Sequence, residues 1–124
     1  MEGGNFSMLI VDDEDDITEI IKTYFDRKGG FEITTVSDGI SALLEVGRAK
    51  PDLLILDIML PGVDGVEVCR RIKAGASAST VIIAMSGQPE MEKKILQAGA
   101  DVFITKPLDL DRLYQEVRSL LRTL

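Results

Sequence analysis

The chain has 124 residues, the size of a single domain, and 45% of them are hydrophobic, which is enough for a proper core. Its formal net charge of −7 argues against non-specific binding to nucleic acid and to an anionic membrane surface. A lone cysteine excludes a disulfide framework, and no apolar run approaches the roughly 20 residues of a membrane helix, so the sequence predicts a cytoplasmic protein.

Residues 1–5 resemble a short flexible tail, and residues 6–124 are predicted to form one domain. The first strand-like run, 6–11, is mostly apolar and is followed by a helical pattern that ends at Gly29 and Gly30. Its inner face is predicted to carry Ile17, Ile20, Ile21, Tyr24 and Phe25. The second run, 32–36, is more polar, as is typical of an edge strand. The helix after it is predicted to bury Ile40, Leu43, Leu44 and Val46.

The third and fourth runs, 53–56 and 81–85, are wholly apolar, so we expect both strands at the centre of a sheet. The helix between them spans about 65–74, with Val66, Cys69 and Ile72 facing inward. A short fourth helix with Met91, Ile95 and Ala98 ends at Gly99. The fifth run, 102–105, is half polar and predicts the other edge. The last helix carries Leu110, Leu113, Tyr114, Val117, Leu120, Leu121 and Leu124.

The alternation of strands and helices predicts an α/β fold with a parallel sheet, right-handed crossovers and helices on both faces. A doubly wound, flavodoxin-like (βα)5 sandwich with strand order 2-1-3-4-5 keeps the three apolar strands central. Ligands of such sheets bind beyond the carboxyl ends of the strands, at the switch point between the first and third strands.

Three aspartates fall at that switch point. Asp12 and Asp13 directly follow the first strand, and Asp57 directly follows the third. Two carboxylates about 4 Å apart repel each other by roughly 4 kcal/mol at an effective dielectric constant of 20. Such a cluster requires a cation or large pKa shifts, and both indicate a working site.

Two further polar residues end strands at the same edge. Ser86 follows the fourth strand and Lys106 follows the fifth. Oxygen ligands without histidine or cysteine suit Mg²⁺ or Mn²⁺, which leave coordination positions open for a phosphate oxygen. A lysine adds a second positive charge, and a carboxylate in such a site can act as nucleophile and form an aspartyl phosphate.

Each of these residues also has a structural interpretation. The acidic run 12–16 suits the start of a helix, where the helix dipole favours negative charge. Asp57 could be a turn residue before Pro61, Ser86 a cap, and Lys106 a surface side chain. Their joint position at the carboxyl ends of the predicted strands favours the functional interpretation.

The chain resembles the receiver domain of two-component response regulators, the chemotaxis-receiver type, over about residues 6–124. The resemblance rests on four motifs: Asp12-Asp13, the segment Asp57-Ile-Met-Leu-Pro-Gly-Val-Asp-Gly65, Ser86-Gly87 and Lys106-Pro107.

The resemblance implies a role for each position. Asp57 would accept a phosphoryl group. Mg²⁺ would be bound by Asp13, Asp57 and the backbone carbonyl of Met59, with Asp12 acting through a metal-bound water. Ser86 and Lys106 would contact the new phosphoryl group. Phe103 matches an aromatic switch position that rotates inward when Ser86 moves, and it could equally be an ordinary strand hydrophobe. The peptide bond between Lys106 and Pro107 would be cis.

The resemblance also implies partners. A sensor histidine kinase or a histidine phosphotransfer protein would donate the phosphoryl group. Helix 4, strand 5 and helix 5 would present the output surface to a downstream protein, to a fused output domain or to a second copy in a phosphorylation-dependent homodimer. The chain is either a stand-alone receiver or part of a longer protein. Met59 and Gln88 are uncharged, which suggests a long-lived phosphoryl state.

Two other functions agree less well with the sequence. An aspartyl-nucleophile phosphatase or phosphotransferase of the dehalogenase-like kind needs an acid two residues after the nucleophile, and that position is Met59 here. A binding module that no longer responds to phosphorylation would be expected to lack an acceptor, acidic pair or lysine, and all are present. We therefore expect a phosphoacceptor switch and not a metabolic enzyme.

Overall fold

Strands and helices alternate through the computed structural model, which describes residues 5–75 and 77–121. Within these residues the strands are β1 Phe6–Val11, β2 Phe31–Val36, β3 Leu53–Asp57, β4 Val81–Ser86 and β5 Val102–Thr105. The α-helices are α1 Asp15–Lys28, α2 Gly39–Ala49, α3 Gly65–Ala74, α4 Glu92–Gln97 and α5 Leu110–Leu121, with a 3₁₀ turn at Pro89–Met91 before α4. The predicted tail, apart from residue 5, lies outside the described residues, as does Leu124.

All the strand pairs are parallel, and the order is β2-β1-β3-β4-β5, as predicted from the sequence. The register of the paired strands sets the relative positions of the polar residues at the strand ends. Val11 pairs with Leu56, so the residues that follow them, Asp12 and Asp57, come level at the switch point. Ser86 pairs with Thr105, which places Lys106 one residue beyond Ser86 at the same edge.

The core lies in two layers because strand side chains alternate between the faces of the sheet. One layer contains Leu54 and Leu56 of β3 and packs against α2, α3 and α4. The other contains Leu53 and Ile55 and packs against α1 and α5. Each such fully buried side chain contributes about 1.5–3 kcal/mol to the free energy of unfolding. The rigid centre of the sheet therefore supports the polar edge.

Local chemistry sets the helix ends near that edge. The carboxylate of Asp38 accepts a hydrogen bond from the backbone N–H of Ser41 (2.7 Å) and caps α2. Asp64 caps α3 through the N–H of Glu67 (3.0 Å). These side chains satisfy backbone donors that a helix start leaves unpaired.

Three of the apolar residues predicted to face the core do not. Ile20 and Ile40 are each 52% exposed and Leu44 is 70% exposed. Each helix contacts the sheet along a narrow stripe, such as Ile21 with Phe25 in α1, and residues about 100° around the helix point away. The buried stripes predicted for α1 and α2 were therefore wider than those in the structure. Cys69, in contrast, is fully buried as predicted. None of the described helices has the length and apolar character needed to span a membrane.

Candidate functional site

The carboxylates of Asp12, Asp13 and Asp57 meet at the switch point. One oxygen of each lies within 4.8 Å of the others. Asp12 and Asp57 are buried, with 1% and 3% exposure, whereas Asp13 is exposed. The convergence predicted from the sequence is therefore confirmed, and it follows from the parallel pairing of β1 with β3.

Asp57 is the last residue of β3 and is held from two sides. Its Oδ1 accepts a hydrogen bond from the backbone N–H of Met59 (3.1 Å), and its Oδ2 lies 3.4 Å from Lys106 Nζ. Burial, followed by the charge of Asp12, raises the pKa of Asp57 to about 6, and the contacts with Met59 and Lys106 offset this only in part. The neighbours of the buried carboxylate thus compensate its charged form only in part.

In the described part of the site, Lys106 supplies the positive charge. Its Nζ lies 3.2 Å from Asp12 Oδ2, 3.4 Å from Asp57 Oδ2 and 3.4 Å from Glu14 Oε1. Burial alone would lower the pKa of Lys106, but the charges of Asp57 and Asp12 outweigh it and the pKa is raised. Lys106 therefore stays charged and shares that charge among three acids.

Ser86 lies at the end of β4 with no exposed surface. Its Oγ accepts a hydrogen bond from the backbone N–H of Gln88 (3.0 Å), and its carbonyl oxygen accepts one from the N–H of Lys106 (2.9 Å). The peptide bond between Lys106 and Pro107 is cis, as predicted. Ser86 and Lys106 thus occupy adjoining positions at one edge.

Phe103 lies in β5 opposite Ala84 and is only 7% exposed. It packs in the core layer that faces α3 and α4, so its ring is already inside the protein. Its role as a switch stays a prediction.

The loop from β3 to α3 depends on a close backbone approach at Gly65, which the sequence analysis did not single out. A Cβ on Gly65 would lie 2.6 Å from Ile58 Cα and 2.8 Å from the carbonyl oxygen of Asp57. The N–H of Gly65 also donates a hydrogen bond to the carbonyl oxygen of Ile58 (2.9 Å). Only glycine allows this loop to return so close to Asp57. The Asp64-Gly65 pair at the predicted helix start was the available signal.

A groove of about 420 Å³ opens beside the acids. Its lining includes Asp13, Met59, Gln88, Met91 and Lys94. Met59 is 51% exposed, so its thioether side chain forms part of the groove wall next to the carboxylates. The two residues proposed from the sequence to affect phosphoryl lifetime, Met59 and Gln88, therefore border the same opening.

The donor set fits a hard divalent cation. It consists of carboxylate oxygens, the chain contains no histidine, and the single cysteine is buried in α3. Mg²⁺ prefers such oxygen ligands and usually takes one or two carboxylates together with water. Burial and the charge of Asp12 raise the pKa of Asp57, and a bound cation would favour the charged form of this carboxylate. The ligand role of the Met59 carbonyl and the indirect role of Asp12 stay predictions.

Comparison with known proteins gives a consistent result. Residues 8–118 match the family model described as "Response regulator receiver domain". The chain is 40% identical over 117 residues to the sensory transduction protein RegX3 of Mycobacterium tuberculosis, covering 94% of this chain and 51% of that protein. It is 34% identical over 119 residues to the alkaline phosphatase synthesis transcriptional regulatory protein PhoP of Bacillus subtilis, covering 95% and 49%.

The chain thus spans about half the length of these two relatives. Among solved structures, it is similar to the receiver domain of a sensor histidine kinase from Pseudomonas aeruginosa PAO1. The TM-score is 0.87 at 26% identity, with 97% of this chain and 100% of that chain covered. That structure contains a magnesium ion coordinated in its active-site cleft.

Proposed function

Because the chain belongs to the response regulator receiver domain family, we propose that it is a phosphorylation-controlled signalling switch whose phosphoacceptor is Asp57. One observation carries this proposal. The buried carboxylate of Asp57 lies 3.4 Å from the ammonium of Lys106, in a cluster where one oxygen of each of three carboxylates lies within 4.8 Å of the others. A carboxylate that can serve as the nucleophile, a cation and candidate metal ligands thus meet at one point.

The proposed reaction is a phosphoryl transfer from a phosphohistidine of a sensor histidine kinase or a phosphotransfer protein. An Asp57 carboxylate oxygen forms a bond to phosphorus while the bond from phosphorus to the imidazole nitrogen breaks. The electron pair of that bond stays on the imidazole, which then takes a proton from solvent. Catalysis in such transfers comes mainly from positioning and from charge stabilisation.

Each residue of the site would have a separate role in this transfer. Mg²⁺ (or Mn²⁺), when bound by Asp13, Asp57 and the Met59 carbonyl, would supply positive charge to the phosphoryl oxygens. Asp12 would contact the metal indirectly, through a metal-bound water. Lys106 is already within 3.4 Å of the acceptor carboxylate and would pair with the phosphoryl group. The hydroxyl of Ser86 accepts from Gln88, which leaves its O–H free to donate to a phosphoryl oxygen.

The charge added by phosphorylation would then shift the conformational equilibrium of the surface formed by α4, β5 and α5. Phosphorylation adds about −1.5 to −2 charges at pH 7. Drawing Ser86 toward that charge moves the end of β4, and Phe103 on the neighbouring strand would follow. We propose that this surface contacts a downstream protein, a fused output domain or a second phosphorylated copy.

The name of PhoP describes a transcriptional regulator, and we propose a comparable regulatory output for the proposed switch. The net charge of −7 supports an output through protein contacts and not through direct binding of nucleic acid by this domain. The chain would act as a phosphoacceptor, with at most self-catalysed phosphorylation and dephosphorylation. The cytoplasmic location and the domain limits 6–124 stay predictions.

A mass measurement tests the proposal. The protein is incubated with Mg²⁺ and a small phosphodonor such as acetyl phosphate, and its intact mass is recorded. We expect one phosphoryl adduct on the wild type and on Asp16→Asn, a control at an exposed acid in the first turn of α1. Asp57→Asn should give no adduct. An unmodified wild type, or an undiminished adduct on Asp57→Asn, contradicts the proposal.

A further inference from the structure

The ammonium of Lys106 has a third acidic partner that the proposed transfer does not use. Besides Asp12 and Asp57, its Nζ lies 3.4 Å from Oε1 of Glu14. A lysine ammonium has three N–H donors, and each of them has a carboxylate within reach in this structure. A phosphoryl group on Asp57 would take over the donor that faces the Asp57 carboxylate, and it can gain a second donor from Lys106 only if Asp12 or Glu14 gives way.

The three partners differ in their freedom to leave. The side chains of Asp12 and Asp57 are 0% and 5% exposed, whereas that of Glu14 is 63% exposed. Asp57 carries the phosphoryl group itself, so the choice lies between the other two. Water can solvate a released Glu14 carboxylate at little cost, but it cannot reach the buried carboxylate of Asp12 as easily. Glu14 is therefore the partner that Lys106 gives up first.

The backbone of Glu14 is nevertheless fixed. Its N–H donates a hydrogen bond to Asp12 Oδ1 (2.9 Å), and its carbonyl oxygen accepts from the N–H of Ile17 (3.1 Å) and of Thr18 (3.2 Å) as α1 begins. The anchored backbone keeps the carboxylate near Lys106 while the side chain remains largely exposed to solvent. The contact between Glu14 and Lys106 is thus built into the start of α1.

We propose that Glu14 is a positioning residue that competes with the phosphoryl group for Lys106 and so favours the unphosphorylated state. This inference rests on the proposed function of Asp57. Two physical effects act in the same direction. Glu14 occupies one donor of Lys106, and its negative charge repels the charge that arrives on Asp57. Removing that charge should therefore strengthen binding of a phosphoryl group.

The first test uses beryllium fluoride, a tetrahedral mimic of the phosphoryl group that adds to a carboxylate. Its affinity for the whole chain is measured by fluorine NMR at saturating Mg²⁺, so that any change in metal affinity does not enter. Glu14→Gln keeps the length of the side chain and removes its charge. We expect about two- to fivefold tighter binding, the upper part of the range typical of an exposed ion pair. Glu19→Gln, at an exposed acid elsewhere on α1, should change the affinity less than twofold.

The second test needs neither metal nor phosphoryl group. In buffer with a chelator, reductive methylation followed by peptide mass analysis reports the reactivity of each lysine amine. Lys106 should react severalfold faster in Glu14→Gln than in the wild type or Glu19→Gln, because it has lost a partner. A purely structural role of Glu14 would not change Lys106 selectively.

The outcomes separate the two proposals. Failure of the wild type to bind beryllium fluoride would count against Asp57 as phosphoacceptor. Normal binding by the wild type with equal or weaker binding by Glu14→Gln would overturn the competition proposed for Glu14. Unchanged reactivity of Lys106 in Glu14→Gln would overturn it as well.

Discussion

The backbone N–H of Lys106 donates a hydrogen bond to the carbonyl oxygen of Ser86 over 2.9 Å. This bond joins the ends of β4 and β5 at the residues that we propose bind the phosphoryl group. A second bond, from the N–H of Ile58 to the carbonyl oxygen of Met85 (3.0 Å), ties the segment after Asp57 to β4. Movement of Ser86 is therefore mechanically linked to Asp57 on one side and to Lys106 on the other. The proposed output surface begins at these same strand ends.

The charge of Asp57 should destabilise the metal-free protein at neutral pH. Burial and the charge of Asp12 raise the pKa of Asp57 from its ordinary 3.8 to about 6. The folded state thus binds this proton more tightly than the unfolded state, and the stability it provides is present below pH 4 and lost as the pH rises to about 6. We expect Asp57→Asn to raise the free energy of unfolding by roughly 1–3 kcal/mol at pH 7.5 and by little at pH 3.5.

Urea unfolding followed by circular dichroism, with a chelator present, measures this difference across the pH range. Asp16→Asn serves as the control at an exposed acid, where no comparable gain is expected. Asp57→Asn also removes the attraction between Asp57 and Lys106, and this loss accounts for the lower end of the expected gain in the free energy of unfolding. An Asp57→Asn variant that is no more stable than the wild type at pH 7.5 would show that the carboxylate is better compensated than its burial indicates.

The strand ends could be located from the sequence because two-sided burial makes β1, β3 and β4 almost continuously apolar. The polar residues at their carboxyl ends, Asp12 directly after β1, Asp57 as the last residue of β3 and Ser86 as the last residue of β4, therefore marked the functional edge. Topology then followed from the alternation of strands and helices.

Features that depend on the direction of a side chain could not be predicted from the pattern of apolar and polar residues. Ile20 and Leu44 match a helical stripe but point to solvent, since the width of a helix contact is set by the sheet beneath it. The contact of Glu14 with Lys106 joins residues 92 apart in sequence, and the approach of Gly65 to Ile58 depends on the path of a loop.

Metal binding should depend strongly on Asp13, the exposed member of the acidic cluster. Mg²⁺ at 100 times its dissociation constant stabilises a folded protein by about 2.7 kcal/mol, which raises the unfolding temperature of the wild type. We expect Asp13→Asn to weaken Mg²⁺ affinity tenfold or more while leaving the metal-free unfolding temperature nearly unchanged. Thermal unfolding during a Mg²⁺ titration measures both quantities. Asp16→Asn should shift the affinity less than twofold, and an equal loss in the two variants would indicate a diffuse effect of charge without specific ligation.

Gly65 should tolerate no side chain. The added Cβ of Gly65→Ala would approach Ile58 Cα and the Asp57 carbonyl oxygen to 2.6 and 2.8 Å, and both are backbone atoms that cannot move without shifting the loop. We expect a loss of about 2–3 kcal/mol in the free energy of unfolding, measured in urea, and weaker Mg²⁺ binding. Gly87→Ala is the matched control, because a Cβ at Gly87 meets nothing within 4 Å. Equal stability of the two variants would mean that the loop accommodates a methyl group.

The phosphoryl group on Asp57 should persist because the groove beside it offers little help to an attacking water. Met59 borders the opening with an apolar side chain that is 51% exposed, and Gln88, which is uncharged, borders the same opening. A positioned polar group at the Met59 position could orient water toward phosphorus. We therefore expect Met59→Asn to accelerate loss of the phosphoryl group by about tenfold, below the full range of general acid–base effects because an amide transfers no proton.

The measurement starts from phosphorylated protein that has been separated from the phosphodonor, and intact mass is followed over time with Mg²⁺ present. Met59→Leu keeps the position apolar and should retain the wild-type rate. The backbone N–H of residue 59, which holds Asp57 Oδ1 at 3.1 Å, is common to all three proteins, so a difference between them reports the side chain alone. If Met59→Asn loses its phosphoryl group no faster than Met59→Leu, the lifetime is set by something other than the polarity of this groove wall.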